Sequence, residues 1–238
     1  PPPATLDPGP TPSQRAAALI QVLLCSDFPT QLLLGYTFIT LGYGRESQGI
    51  GFVTSVLLAD TVLLLGLIWL FVRADGGSVV DLLIGPRPVA PEIRLGLPLT
   101  FAAFAIGAAG IVITRMVAPW LHNVEQNPLP DLIRSPFDAV VFAIVAVVAG
   151  GVREEVQRAF LLSRFEHALG GRTAGVVVTS VVFGLGHRVQ GDDAAVATAL
   201  LGAFWAVVYL RRRSAIAPIV SHSGFNLLQL TQLLIVRQ

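Results

Sequence analysis

Charge is what this chain has least of. Asp, Glu, Lys and Arg make up 13% of its 238 residues, about half the share of a typical soluble domain, and mean hydropathy is +0.70. With repeated apolar runs of about 20 residues, this excludes an ordinary soluble fold and predicts an all-α polytopic membrane protein. Lysine is missing altogether, all 16 cationic side chains being arginine, a bias that by itself carries no functional message. A net charge of +1 gives no sign of nucleic-acid binding. The single cysteine, Cys25, excludes an intrachain disulfide and a Cys-rich metal site; in an apolar run it reads as a small packing residue.

Some motifs are missing too. There is no His-Glu-x-x-His, so a zincin-type metalloprotease does not fit. The sole Gly-x-Ser, at Gly76-Gly-Ser78, lies in a loop without a base in reach, which argues against a serine nucleophile. Asp60 has no mate for an aspartyl dyad except the loop residues Asp192 and Asp193. No internal repeat is visible, and an inverted-repeat transporter loses support accordingly. The opening PPPATLDPGPTPS lacks the charged-then-apolar layout of a signal peptide, so residues 1–14 are expected to be a flexible Pro-rich tail.

What remains is mostly spans. Residues 15–135 predict N-terminal membrane helices: an apolar stretch 15–43 interrupted at Ser26-Asp-Phe-Pro29, where Pro29 should kink or break the helix, then spans at 50–72 and 95–120. The run 79–84 is too short to cross, and Arg115 lies close enough to the end of its span to snorkel. Residues 136–238 predict a long helix 137–169 stopped by Gly170-Gly171, a short helix 172–187, and spans at 193–210 and 214–235. The count is about seven, or eight with a broken first segment, in one membrane domain. Arg73, Arg87, Arg94, Arg164, Arg172 and Arg211 to Arg213 fall on one side. Arg45, Arg134, Arg188 and Arg237 fall on the other, mostly beside acids such as Glu46 and Asp131. The positive-inside rule then puts the N-terminal tail in the cytoplasm.

Within the long helix sits Arg153-Glu-Glu-Val-Gln-Arg158, and charge at bilayer depth costs at least a few kcal/mol per residue. Helical spacing places Glu154 and Arg158 (i, i+4) on one face and Glu155 within i, i+3 reach of Arg158. One carboxylate can be held ionised while the other, in low dielectric, suits a general base. A structural salt-bridge network is the competing reading. His187 follows Phe183 at i+4, with Gly184 and Gly186 permitting close approach. It can share water activation, bind a metal, or be a hydrogen-bonded structural residue. His222 and Asn226 share a face of the last helix, where two donors could bind an oxyanion or glue helices together. His122, His167 and Asp60 are weaker candidates. At about 1.5 Å per residue, Glu154, His187 and His222 all fall at membrane depth.

In this order, Glu-Glu-x-x-Arg, Phe-x-x-x-His and His-x-x-x-Asn resemble the motifs of the CPBP family. That family comprises the type II CAAX prenyl endopeptidases and the bacterial Abi, or bacteriocin-processing, proteins. The resemblance covers about residues 137–230. The family's first motif is Glu-Glu-x-x-x-Arg, one residue longer: matching the glutamates selects Glu154 and Glu155, whereas matching the arginine puts Arg153 at the first Glu position. The resemblance implies an intramembrane endopeptidase of the bacterial cytoplasmic membrane, acting on a membrane-associated peptide or protein, prenylated or CAAX-like. Glu154 or Glu155 with His187 would activate water, His222 and Asn226 would hold the oxyanion, and Arg158 and Phe183 would support them. It leaves two forms open, one with zinc or another divalent ion on Glu154, His187 and His222 and one without metal. Self-immunity or scaffolding without catalysis, and transport, are the alternatives from other classes.

Overall fold

A computed structural model describes residues 9–43, 49–125 and 127–236. Most of the tail reading, residues 1–8, together with Arg45, Glu46 and Arg237, lies outside the described residues. Among those described, the chain is helical throughout, with no strand.

The helix starts follow local chemistry. In α1 (Pro12–Leu24), the Gln14 N–H donates to Thr11 Oγ1 at 3.3 Å and the Thr11 N–H to Gln14 Oε1 at 2.8 Å, a reciprocal cap ahead of Pro12. A break at Cys25 to Asp27 leads into α2 (Phe28–Thr40), the two helices bending by 42°. Pro29 sits in the first turn of α2, where its missing donor costs nothing. α3 (Ile50–Ala74), the short α4 (Val79–Leu83) and α5 (Val89–Val117) follow. Ser135 caps α6 (Pro136–Val145) by accepting from the Asp138 N–H, and α6 runs through a π-helical segment, Ala146–Arg153, into α7 (Glu154–Ala168). Gly170 and Gly171, both at positive φ, end that helix and start α8 (Gly171–Gly186); α9 (Asp192–Arg212) and α10 (Ile216–Val236) complete the chain.

Among the described residues, five helices are long and apolar enough to cross a membrane, six if the bent pair α1 and α2 counts as one span. The expected seven adds α8, whose 16 residues are shorter than a full crossing. Large apolar side chains such as Val62, Phe101, Met116 and Val177 face outward, while Asp60, Glu92, Arg153, Glu155, Arg158 and Asp193 are buried. That inside-out distribution suits a bilayer, and the protein is an integral membrane protein.

Helix α7 is the central element. One face packs with Cys25, Leu64, Ile68 and Val72 through Val156 and Phe160, and its other face joins Ala206, Tyr209 and Ala215 through Ala159 and Leu162. α5 with α10 and α8 with α9 form the most extensive helix pairs. At one end, Arg212 grips Glu92 with a contact at 2.5 Å and Arg213 reaches Glu166 at 2.6 Å, so the Arg211 to Arg213 run is partly neutralised. At the other end Asp193 accepts from Arg115 at 2.7 Å and contacts His122 at 3.0 Å. Arg115 therefore does more than snorkel: it pairs across to α9.

Candidate active site

The sequence of α7 puts Glu154 and Glu155 on adjacent faces, and α10 approaches both. Three features make that approach possible. The π-helical segment changes the facing of the residues before Glu154. Asn226 Nδ2 donates to Ala146 O in that segment at 3.0 Å, supplying a partner to a carbonyl in backbone that departs from α-helical bonding. Gly150 and Gly151 lack the Cβ atoms that would meet Asn226 Nδ2 and Ser223.

Glu155 is buried and accepts from two sides: from Arg158, an i, i+3 ion pair, and from His222, whose Nδ1 lies 2.8 Å from Glu155 Oε1. A carboxylate there keeps a proton on His222 Nδ1 and directs Nε2 away from Glu155. What Nε2 faces is Glu154, with Oε2 at 3.8 Å. That is too long for a direct hydrogen bond, yet short enough for one water to bond both groups. The other oxygen, Glu154 Oε1, accepts from Arg153 Nη2 at 3.3 Å.

Aromatic rings fix the imidazole plane. Trp205 stacks on His222 at 3.8 Å between centroids with a 16° tilt, while Phe183 meets it edge-on at 6.0 Å. The Trp205 indole N–H donates to Ser221 Oγ, next to His222, at 3.1 Å. The Arg158 guanidinium lies over Phe183 at 4.6 Å and near Trp205 at 5.7 Å, a cation–π arrangement that is strong when desolvated. Trp205→Ala is expected to cost about 3 kcal/mol or more in thermal or denaturant unfolding, because it opens a cavity and removes that hydrogen bond.

His187 is set apart. Its ring packs on Phe183 at 4.7 Å and its Nδ1 lies 2.8 Å from Phe183 O, with no hydrogen bond or ion pair to Glu154, Glu155 or His222. Phe183 thus connects the two histidines, one ring between them. Of the expected residues, Glu154, Glu155, Arg158, Phe183 and His222 come together. Asn226, one turn further along α10, bonds Ala146 O in the π-helical segment, and His187 borders the group. The zinc set Glu154, His187 and His222 is not assembled, since no three His, Cys, Asp or Glu among the described residues group as metal ligands.

Two participants, Trp205 and Asp27, were not foreseen, and Asp60 was only a weaker candidate. Trp205 read as one more apolar residue of a span. Asp60, expected to lack a partner, contacts Arg153 Nη1 through Oδ2 at 3.4 Å, and Asp27 pairs with the same guanidinium. Arg153 and Asp60 are 93 residues apart in sequence, and no periodic pattern links them. By contrast, His122 and His167 stay outside the group, bonded to Asp193 at 3.0 Å and to Ser163 O at 2.7 Å.

Comparison with known proteins matches residues 136–228 to the family model "Type II CAAX prenyl endopeptidase Rce1-like". No curated protein and no solved structure matches.

Proposed function

Because residues 136–228 place the chain in the Rce1-like family of type II CAAX prenyl endopeptidases, we propose that the protein is an intramembrane endopeptidase. It hydrolyses a peptide bond of a membrane-associated, CAAX-like substrate. The observation that carries this reading is the pairing of one committed and one less committed carboxylate around His222: Glu155 is bonded by Arg158 and His222, while Glu154 Oε2 is 3.8 Å from His222 Nε2. The remaining charges fit the same picture, with the N-terminal tail and the arginine-rich loops in the cytoplasm of a bacterial cell and α8 counted as a short seventh span.

In the proposed mechanism Glu154 takes a proton from water as the water oxygen attacks the scissile carbonyl carbon. The resulting oxyanion accepts from His222 Nε2–H, whose positive charge Glu155 balances, and from the second Nδ2–H of Asn226. Glu154 then returns the proton to the leaving amine as the C–N bond breaks. General-base assistance is worth about 10²–10⁴ in rate, and each oxyanion donor about 10²–10³. His187, with Nδ1–H directed to Phe183 O, keeps Nε2 free to accept a hydrogen bond from the same water, which orients it while its proton passes to Glu154.

Purified protein in proteoliposomes, given a prenylated and an unprenylated CAAX peptide, should release the terminal tripeptide, identified by mass spectrometry. No cleavage of either peptide, by protein shown to be folded, overturns the reading. No step runs through a metal ion, so incubation with a strong chelator is expected to leave the rate unchanged. Loss of activity that added zinc restores would overturn the metal-free form.

A further inference from the structure

The proposed chemistry makes no use of Arg153, yet this buried guanidinium is bonded from every side. Its Nε donates to Ala149 O at 3.3 Å, Nη1 pairs with Asp27 and with Asp60 Oδ2 at 3.4 Å, and Nη2 reaches Glu154 Oε1 at 3.3 Å. Asp27 lies in the break between α1 and α2 at φ 69°, a conformation that costs a non-glycine residue free energy and persists where surrounding contacts hold it. A second contact holds this same turn: Gln157 Nε2, one helical turn beyond Arg153, donates to Cys25 O at 2.7 Å. Asp60 is in turn bonded by Gln31 of α2 at 3.4 Å.

Two carboxylates already balance the Arg153 charge, so its bond to Glu154 is not required for neutrality. Nor is it what regular helical spacing provides, because neighbours i and i+1 do not face each other. Arg153 closes the π-helical segment, and its fork of five donors can serve several acceptors at once. We propose that Arg153 is a positioning residue: anchored by Asp27 and Asp60, it holds Glu154 Oε1 and leaves Oε2 facing His222 Nε2. The α1–α2 turn, outside the family-matched residues 136–228, thereby becomes a working part of the site. This inference rests on Glu154 being the base of the proposed endopeptidase.

The test uses the full chain in proteoliposomes with the CAAX peptide. Arg153→Gln should lower kcat about 10- to 100-fold with KM unchanged, since small misplacements of a catalytic group have costs of that order. Arg153→Lys, which keeps the charge and some donors, should recover part of the loss, and Asp27→Asn should lower kcat less than Arg153→Gln. Cys25, the sole thiol and fully buried, reports whether the turn stays docked: its protection from a membrane-permeant maleimide should persist in each variant. Wild-type kcat in Arg153→Gln overturns the inference. So does a fall of kcat accompanied by Cys25 becoming reactive, which marks a structural staple. Where Arg153→Gln does not accumulate, unchanged kcat in Asp27→Asn overturns it. Glu154→Gln and Glu155→Gln run alongside: full activity in both defeats the endopeptidase reading itself, whereas their inactivity beside an active Arg153→Gln defeats this inference alone.

Discussion

Glu154→Gln is expected to lower kcat for peptide cleavage by about 10³-fold, with KM and thermal stability unchanged. The amide is isosteric and can still accept from Arg153 through its oxygen, so the bond to Arg153 Nη2, 3.3 Å in the parent, has a counterpart. What disappears is the ability to take a proton. Glu155→Gln should behave differently. That side chain carries the charge that Arg158 and His222 share, and neutralising it leaves Arg158 buried beside aromatic rings without its ion-pair partner. Breaking one side of a buried pair costs about 3–5 kcal/mol, so kcat and unfolding temperature should fall together. Steady-state kinetics beside thermal unfolding of the two variants separates the roles. If Glu154→Gln is active and Glu155→Gln is inactive at parental stability, the assignment is reversed.

That contrast was partly legible in the sequence, because a helix dictates which neighbours can pair. The i, i+3 spacing of Glu155 and Arg158 is enough to expect their contact, and Pro29 and Gly170-Gly171 announce the helix boundaries. Position along each helix could be counted too, from the rise per residue. Direction around each helix axis could not. Counting rise put Glu154, His187 and His222 at membrane depth but could not say that His187 would border the group across Phe183. Trp205 carries no signal of its role, since an indole in an apolar span satisfies hydropathy equally well facing lipid or facing an imidazole. The Asp27–Arg153–Asp60 network joins three elements distant in sequence, and only tertiary packing creates it. The π-helical segment is likewise hidden, its Val, Ala and Gly composition being compatible with an ordinary α-helix.

Gly151→Ala is the second change expected to have a large effect, and it tests whether helix approach, rather than side-chain chemistry alone, builds the site. A Cβ there would run into Ser223 Oγ and come within 3.0 Å of Ser223 Cβ and 3.1 Å of Ser223 Cα. The Cα is backbone, so rotation of the serine side chain cannot relieve the contact, and α10 must move away from the π-helical segment. His222 immediately precedes Ser223 and moves with it, stretching the 2.8 Å bond from His222 Nδ1 to Glu155; the 3.0 Å bond from Asn226 to Ala146 O is on the same helix and is strained likewise. Overpacking of this kind costs about 1–3 kcal/mol, and a misplacement near 1 Å can cost about 10²-fold in rate. The expected result is therefore a loss in kcat out of proportion to the loss in stability. Ser223→Gly, which removes the Oγ and Cβ that the alanine meets, should restore part of the rate in the double variant, although a second glycine beside Gly224 has its own cost of about 1 kcal/mol in a helix. Parental kcat in Gly151→Ala would show that α10 and α7 need not be this close for the site to work.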